Sequence, residues 1–503
     1  MFFHNLLLKV NLKTLKEKLS LSNEDACLSI KDHCGIIGIR TTKRIHDLGF
    51  LLYQGMLALQ HRGQSSAGIT VINKKNMKTI SDVGYVKDIF DKNTLAALKG
   101  KFGIGHVRYP TAGTDLTVGI QPFVLQTRQL KIAIAFNGTI ANFDEVRNFL
   151  MDQGFRFSHD TDTEVIGKLI DYALEEENGD MTKACKKLVG YLDGAYSILI
   201  ATNKGEIIAF RDTLGFKPLC YGKTKEGDFV IASETMGLTI VGAEFEDDVK
   251  PGEMVIITEK SIKKKRLVKE EKVAHCMFEW VYFARPDAIL DGISAYEARE
   301  RIGKGLGKLF KEGGYEADIV VPIPDSGRIA GIGFSKETGI EYSEALIRNR
   351  YVGRTFIMPR QTAREEAVKL KLNVLSNLVK GKKVVLVDDS IVRGTTSKGI
   401  IQMIRDAGAT HVYFAVSCPQ LINPCFMGTD FPTERELIAC GRTDEEIAKI
   451  IGLDAVIYNT IPLLVEAIGF DKWPENNHLC LACLNGDYPL KSNPSQLLCE
   501  RES

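Results

Sequence analysis

The run Lys383-Val-Val-Leu-Val-Asp388-Asp389-Ser390-Ile-Val-Arg393-Gly394-Thr395-Thr396-Ser397 narrows the choice of fold more than any other stretch of the chain. Val384 to Val387 are four apolar, β-favouring residues, which predicts a short strand buried on both faces. Two carboxylates end it, a Gly/Thr/Ser turn follows, and Lys398 to Ala407 carries Ile400, Ile401, Met403 and Ile404 at helical spacing. Strand, acidic pair, small-residue loop and helix is how an α/β protein holds a phosphorylated ligand at the carboxyl end of a strand.

The chemistry of the run is specific. Backbone amides of Arg393 to Thr396 and the start of the helix suit a phosphate, and Thr395, Thr396 and Ser397 add hydroxyl donors. Asp388 and Asp389 would repel that phosphate; they suit sugar hydroxyls and a hard cation such as Mg2+. A ribose with phosphates at both ends meets all of these demands. The plain alternative is an acidic pair that only caps a helix.

These residues resemble the phosphoribosyl-pyrophosphate (PRPP) loop of type I phosphoribosyltransferases, and among them that of the glutamine PRPP amidotransferases. The resemblance runs from Cys34 to about Tyr488. It implies two domains: an N-terminal-nucleophile α/β/β/α glutaminase sandwich, then an α/β phosphoribosyltransferase domain with a parallel sheet.

Size and composition agree with such an enzyme. The 503 residues allow two or three domains. A net charge of +1 argues against a nucleic-acid binder, and no apolar run reaches membrane-spanning length. Eleven cysteines, odd in number and unevenly placed, fit reduced thiols and a metal site better than a disulfide framework, and so a cytoplasmic protein.

Residues 1–33 read as a leader cut off between His33 and Cys34, with a glutaminase domain over 34–265. A thiol at a new N-terminus has its own α-amine as base, titrating near ~8. Cys34-Gly-Ile-Ile-Gly resembles the start of class II glutamine amidotransferases; an ordinary N-terminal helix with Cys34 in a strand is the alternative. His61-Arg62-Gly63-Gln64, Gly105-His106-Val107-Arg108-Tyr109 with Thr111, Asn137-Gly138 and Asp160-Thr161-Asp162 follow in the family's order. Arg108 suits the α-carboxylate of glutamine, and Asn137 with the Gly138 amide suits an oxyanion hole. The resemblance adds Arg62 and Asp162 as glutamine-binding residues, Asp162 for the substrate amine. Pro110, Thr139 and Ser65 depart from the family pattern. Short strands are expected from Tyr191 to Ile257, with Phe210-Arg-Asp-Thr-Leu-Gly-Phe-Lys-Pro-Leu and Ala232-Ser-Glu-Thr completing the resemblance.

The charge-rich Ser261 to Lys272 reads as a linker, and 275–470 as the second domain, with a helix around Ala295 to Phe310. Gly303-Lys-Gly305-Leu-Gly307 lacks nucleotide-loop spacing and reads as helix surface. Asp318-Ile-Val-Val-Pro-Ile-Pro-Asp325-Ser326-Gly327 reads as a second buried strand and polar loop, for pyrophosphate and, through Ser326, the metal. Arg348, Arg350 and Arg354 share a glycine-hinged loop suited to phosphate oxygens.

Cys276, Cys425 and the pair Cys480/Cys483, the last two on a 471–503 tail, fall where one branch of the family carries a [4Fe–4S] cluster; zinc is the alternative. Cys27, Cys185, Cys220, Cys418, Cys440 and Cys499 receive no role. The resemblance implies glutamine and PRPP as substrates, Mg2+ as cofactor and ammonia passed between two sites. It also implies a homotetramer and feedback inhibition by purine nucleotides.

Overall fold

The computed structural model describes residues 34–42, 47–74, 76–109, 117–259, 261–268, 272–349, 371–429, 431, 433–470 and 478–492. The expected leader, Pro110, Thr111, Arg350, Arg354, Cys27 and Cys499 lie outside these residues.

The first half is two stacked antiparallel sheets. One has seven strands, in spatial order Ala243–Asp248, Cys220–Thr224, Phe229–Ala232, Gly35–Arg40, Phe102–Arg108, Ser66–Asn73 and Asn76–Val83. The other has six: Ile262–Arg266, Glu253–Ile257, Glu206–Arg211, Gly194–Thr202, Lys131–Ile140 and Phe123–Gln126. Strand alternation divides their side chains between two cores. Ile36, Ile104, Ala135, Leu199 and Ala209 fill the space between the sheets, while Ile37 and Ile39 turn outward to the helix Leu48–Ala58. Helices Asp162–Glu176 and Met181–Tyr191 cover the outer face of the second sheet. The layers are therefore helix, sheet, sheet, helix.

The second half is built on a five-stranded parallel sheet, in order Glu341–Tyr342, Ile319–Pro322, Lys383–Asp388, His411–Val416 and Ala455–Tyr458. Val384 to Val387 are 0% exposed, as a strand covered on both faces requires. Val384 and Leu386 face helices Thr395–Asp406 and Asp444–Ile451, and Val385 and Val387 face the opposite core with Ala330 and Phe334. That opposite core continues without a break to the outer face of the first sheet. Among the described residues no helix is long and apolar enough to cross a membrane.

Three expectations need correction. Lys263 to Arg266 is not linker: it is the edge strand of the second sheet, paired with Glu253–Ile257, its lysines exposed in the manner that protects an edge. The Gly303/Gly307 run does lie on a helix, Ala295–Glu312, but those glycines face inward. A Cβ on Gly303 would sit 1.9 Å from the Ala330 carbonyl oxygen, so the glycine lets helix Arg328–Thr338 approach. Finally, the helix of the PRPP run starts at Thr395, three residues before Lys398, because Gly394 adopts φ +76° ahead of it.

Candidate active sites

Cys34 stands one residue before the central strand Gly35–Arg40, with part of its surface open. Gly35 is opposite Val107, so the thiol lies beside the end of Phe102–Arg108. Burial among protein atoms pushes the thiol up from its ordinary range; the Tyr109 backbone and the charges of Arg108 and Lys217 act the other way.

On the second sheet, Asn137 and Gly138 lie opposite Ser197 and Tyr196. Asn137 is 0% exposed, and neither atom of its amide has a hydrogen-bond partner among the described residues. An unpaired buried polar group costs about 1–3 kcal/mol, which a bound ligand atom would relieve. Gly138 has φ +152°, and a Cβ there would meet the Ala195 carbonyl oxygen at 2.0 Å. Glycine is therefore obligatory beside the orphaned amide.

Arg108 donates from Nη1 to the Val118 carbonyl at 2.6 Å. Asp162 is the first residue of its helix, behind the cap Thr161, and accepts from the Ile140 amide two residues beyond Gly138. A Cβ on Gly119 would lie 3.2 Å from Thr161 and 3.3 Å from Arg108, so one glycine touches both flanks of the site. Burial raises the Asp162 carboxyl to about 7, although some of its surface is open. His106 is fully buried, with Nε2 3.0 Å from the Phe136 carbonyl; burial and Arg108 keep it neutral, at about 3. It ties the two sheets together and is no general base at pH 7.

Arg62 is the exception among the expected glutamine contacts. It is 0% exposed; Nε donates to Glu234 and Nη2 to Glu279 Oε2 at 2.5 Å. Glu234 also receives His61 Nε2 at 2.8 Å and the Arg285 amide at 3.1 Å. Burial alone would raise Glu234, yet Arg62 and His61 hold it at about 2. The Arg62 fork is spent joining the two halves of the chain, which corrects its assignment to glutamine. Replacing it by methionine takes the guanidinium away from two buried carboxylates, so Arg62→Met should lose about 3–5 kcal/mol of stability, measurable by denaturant unfolding. A loss below ~1 kcal/mol, the range of an exposed pair, would count against this reading.

In the second half, parallel pairing of Pro322 with Val387 brings two strand ends side by side. A Cβ on Gly327 would sit 1.9 Å from the Val387 carbonyl oxygen, so the loop carrying Ser326 hugs the acidic strand. Ser326 Oγ donates to Asp388 Oδ1 at 2.6 Å, the Asp389 amide donates to the same oxygen at 2.9 Å, and Ser390 Oγ donates to Asp389 Oδ2 at 2.5 Å. Burial first, then the neighbouring carboxylate, pushes Asp388 well above the usual range; burial also raises Asp389. Two such carboxyls in one protein-lined corner are suited to a cation or to sugar hydroxyls. The positive end of helix Thr395–Asp406 lies just beyond, with Thr395, Thr396 and the buried Ser397 in its first turn. Arg393 meets Glu436 at 3.4 Å on the surface, and Arg348 meets Asp325 at 3.1 Å.

Cys276, Cys425, Cys480 and Cys483 are all buried and line one cavity with Phe216, Phe278, Met427 and Tyr488. Cys276 and Cys480 are register partners in a two-stranded parallel ladder. Burial raises Cys276, Cys480 (to about 12) and Cys483, and the neighbouring cysteines add to the effect at Cys483. Four thiols round one apolar hollow fit a cluster. Among the described residues no three His, Cys, Asp or Glu side chains converge as one metal ion would require.

Residues 106–239 match a glutamine amidotransferase domain and residues 293–424 a phosphoribosyl transferase domain. The amidophosphoribosyltransferase of Methanocaldococcus jannaschii is 46% identical over 480 residues, covering 92% of this chain and 99% of its own length. The chain belongs to the amidophosphoribosyltransferase family. Solved structures agree. The allosteric regulatory enzyme of purine biosynthesis superposes with a TM-score of 0.84 at 39% identity, covering 91% of this chain and 96% of that one. The glutamine PRPP amidotransferase from B. subtilis, complexed with ADP and GMP, gives 0.83 at 39%, covering 91% and 98%. The chain is thus an amidophosphoribosyltransferase, an enzyme of purine biosynthesis with a glutaminase and a phosphoribosyltransferase half.

Set against that family, the structure gathers Cys34, Arg108, Asn137, Gly138 and Asp162 at one end of the sandwich, and Ser326 with Asp388, Asp389 and Ser390 at one edge of the parallel sheet. Sequence reasoning missed Glu234, Glu279 and Lys217. Glu234 stood inside a quoted segment and Glu279 near the start of the second domain, but their partner Arg62 is 172 and 217 residues away.

Proposed function

We propose that the chain converts glutamine, PRPP and water to 5-phosphoribosylamine, glutamate and pyrophosphate, the step that commits material to purine synthesis. The observation that carries the mechanism is the orphaned, fully buried Asn137 amide, on a strand that His106 ties to the sheet in which the part-open Cys34 precedes the central strand. Once the leader is removed, the Cys34 α-amine takes the thiol proton and the thiolate attacks the glutamine side-chain amide. Asn137 and the Gly138 amide receive the oxyanion, ammonia leaves, and water hydrolyses the thioester to glutamate. Arg108 holds the substrate carboxylate and Asp162 its amine.

Ammonia then reaches PRPP through the apolar junction between the halves, where dryness keeps it unprotonated. Asp388 and Asp389 hold the ribose, residues 393–397 the 5′-phosphate, and Arg350 and Arg354 the pyrophosphate. Ser326, Asp388 and Asp389 are the residues that would hold Mg2+, whose charge would offset that of the departing pyrophosphate. The four-cysteine cavity suits a structural [4Fe–4S] cluster. Zinc on the same four cysteines is the alternative, and iron, sulfide and zinc analysis of the purified protein distinguishes the two. Purine nucleotides as inhibitors, a homotetramer and a cytoplasmic location complete the reading. It is tested by N-terminal mass analysis of purified enzyme with product assays. A chain still starting at Met1 yet fully active on glutamine would falsify the role of Cys34.

Asp162 gives a pH signature. Its carboxyl sits at about 7 in the empty site, and a glutamine ammonium favours the ionised form. The KM for glutamine should therefore rise as pH falls through ~7, approaching tenfold per unit below it. Asp162→Asn should raise KM and flatten the profile. An equally steep profile in that variant would assign the titration elsewhere.

A further inference from the structure

Lys217 is 0% exposed, and its ammonium has no hydrogen-bond partner among the described residues. It lies over the rings of Phe216 and Phe283, at 5.2 and 5.8 Å from their centres. Its loop is laid along the start of the second half. The Leu214 carbonyl accepts from the Ala274 amide at 2.8 Å, and the Phe216 carbonyl from the Cys276 amide at 3.5 Å. Phe216 thereby joins Cys276 in the wall of the four-cysteine cavity. The other ring, Phe283, packs on Phe278 with centres 5.7 Å apart, and Phe278 lines the same cavity. Both rings beneath the ammonium therefore lead to the cysteines.

A buried ammonium without a partner is costly and persists where negative charge faces it. The carboxylates on the elements around Lys217 are answered by other donors. Asp212 accepts from the Tyr196, Leu214 and Phe216 amides, Glu279 meets Arg62, and Asp291 meets Arg211. The cavity has the complementary deficit. Among the described residues no charged side chain lines it besides the thiols themselves. Four thiolates carry more negative charge than a zinc ion or an iron–sulfur core carries positive, so either centre there would be a buried anion. Burial raises the Cys276 thiol, and the Lys217 charge acts the other way.

We propose that Lys217 is the counter-charge of the four-cysteine site, its ammonium offsetting the net negative charge of a metal–thiolate centre and slowing the loss of that centre. This rests on those cysteines holding such a centre.

The test is metal retention by the full chain, purified anaerobically and held in excess chelator, with iron, zinc and sulfide on the protein counted at intervals. Lys217→Met should lose the centre about tenfold faster than the parent, because the charge removed acts through a wall of low dielectric. Methionine fills the same space among the phenylalanine rings, so a lysine that served packing alone would leave the rate unchanged. Lys217→Arg keeps the charge and stacks on aromatic faces, and should restore the parent rate. If Lys217→Met does not accumulate as folded protein, Lys217→Gln carries the same comparison. Parent retention in the neutral variants, or an arginine variant that behaves like the methionine one, overturns the proposal. Parent retention with slowed alkylation of Cys34 would assign the ammonium to that thiol, which overturns it too. A parent chain purified with neither iron nor zinc would instead remove the metal reading beneath it, so the two failures are distinguishable.

Discussion

Cys34→Ala enzyme should make 5-phosphoribosylamine from ammonia at the parent rate and almost none from glutamine. The alanine removes the thiol that precedes the central strand of the first sheet and lies on no strand of the parallel sheet. Losing the nucleophile of a covalent mechanism costs about 10⁴-fold or more in turnover. The ammonia reaction should change by less than about twofold, since distant, independent sites are close to additive. Measuring pyrophosphate release with each nitrogen source decides the matter. Residual glutamine use at a tenth of the parent rate would end the claim that Cys34 is the attacking group.

Asp389→Ala should have the complementary phenotype. Its carboxyl is buried, accepts from Ser390 Oγ at 2.5 Å and adjoins Asp388, which in turn accepts from Ser326. Removing it takes one of two adjacent acids from the place where a ribose and a divalent cation would be gripped. A metal contact of several kcal/mol corresponds to roughly 10³-fold in rate, and both nitrogen sources should suffer it equally. Glutamine hydrolysis in the absence of PRPP should survive. If Asp389→Ala spared ammonia-dependent synthesis while destroying glutaminase activity, the division of labour between the halves would be wrong.

The parts of the enzyme that could be read from sequence are those whose physics is local. Val384 to Val387 and the two acids after them announce a buried strand and its functional end within a few residues. The helix boundary was misplaced because Thr395, Thr396 and Ser397 read as loop, having hydroxyls that compete for the backbone. Gly394, at a φ that other residues avoid, lets the helix begin at once. The Lys263 to Arg266 run looked like linker since charge dominates it; only pairing with Glu253–Ile257 makes it an edge strand. Arg62 shows the harder limit. Its segment matches the family, yet what it does is fixed by Glu234 and Glu279, brought near by the fold and by nothing in the neighbouring sequence. Lys217 is an unremarked lysine in a quoted motif until burial without a partner singles it out.

The four-cysteine wall has a further implication for how the molecule is put together. Leu479–Cys480 completes the ladder begun by His275–Cys276, the Cys483 carbonyl accepts from the Ile422 and Asn423 amides, and Lys491 and Ser492 donate to Asp193 in the first half. A strand translated early thus waits for one translated long afterwards, which then fastens onto both halves. On the ribosome the glutaminase layers can form as they emerge. The seam between the two halves stays unsewn until this late thread has been drawn through.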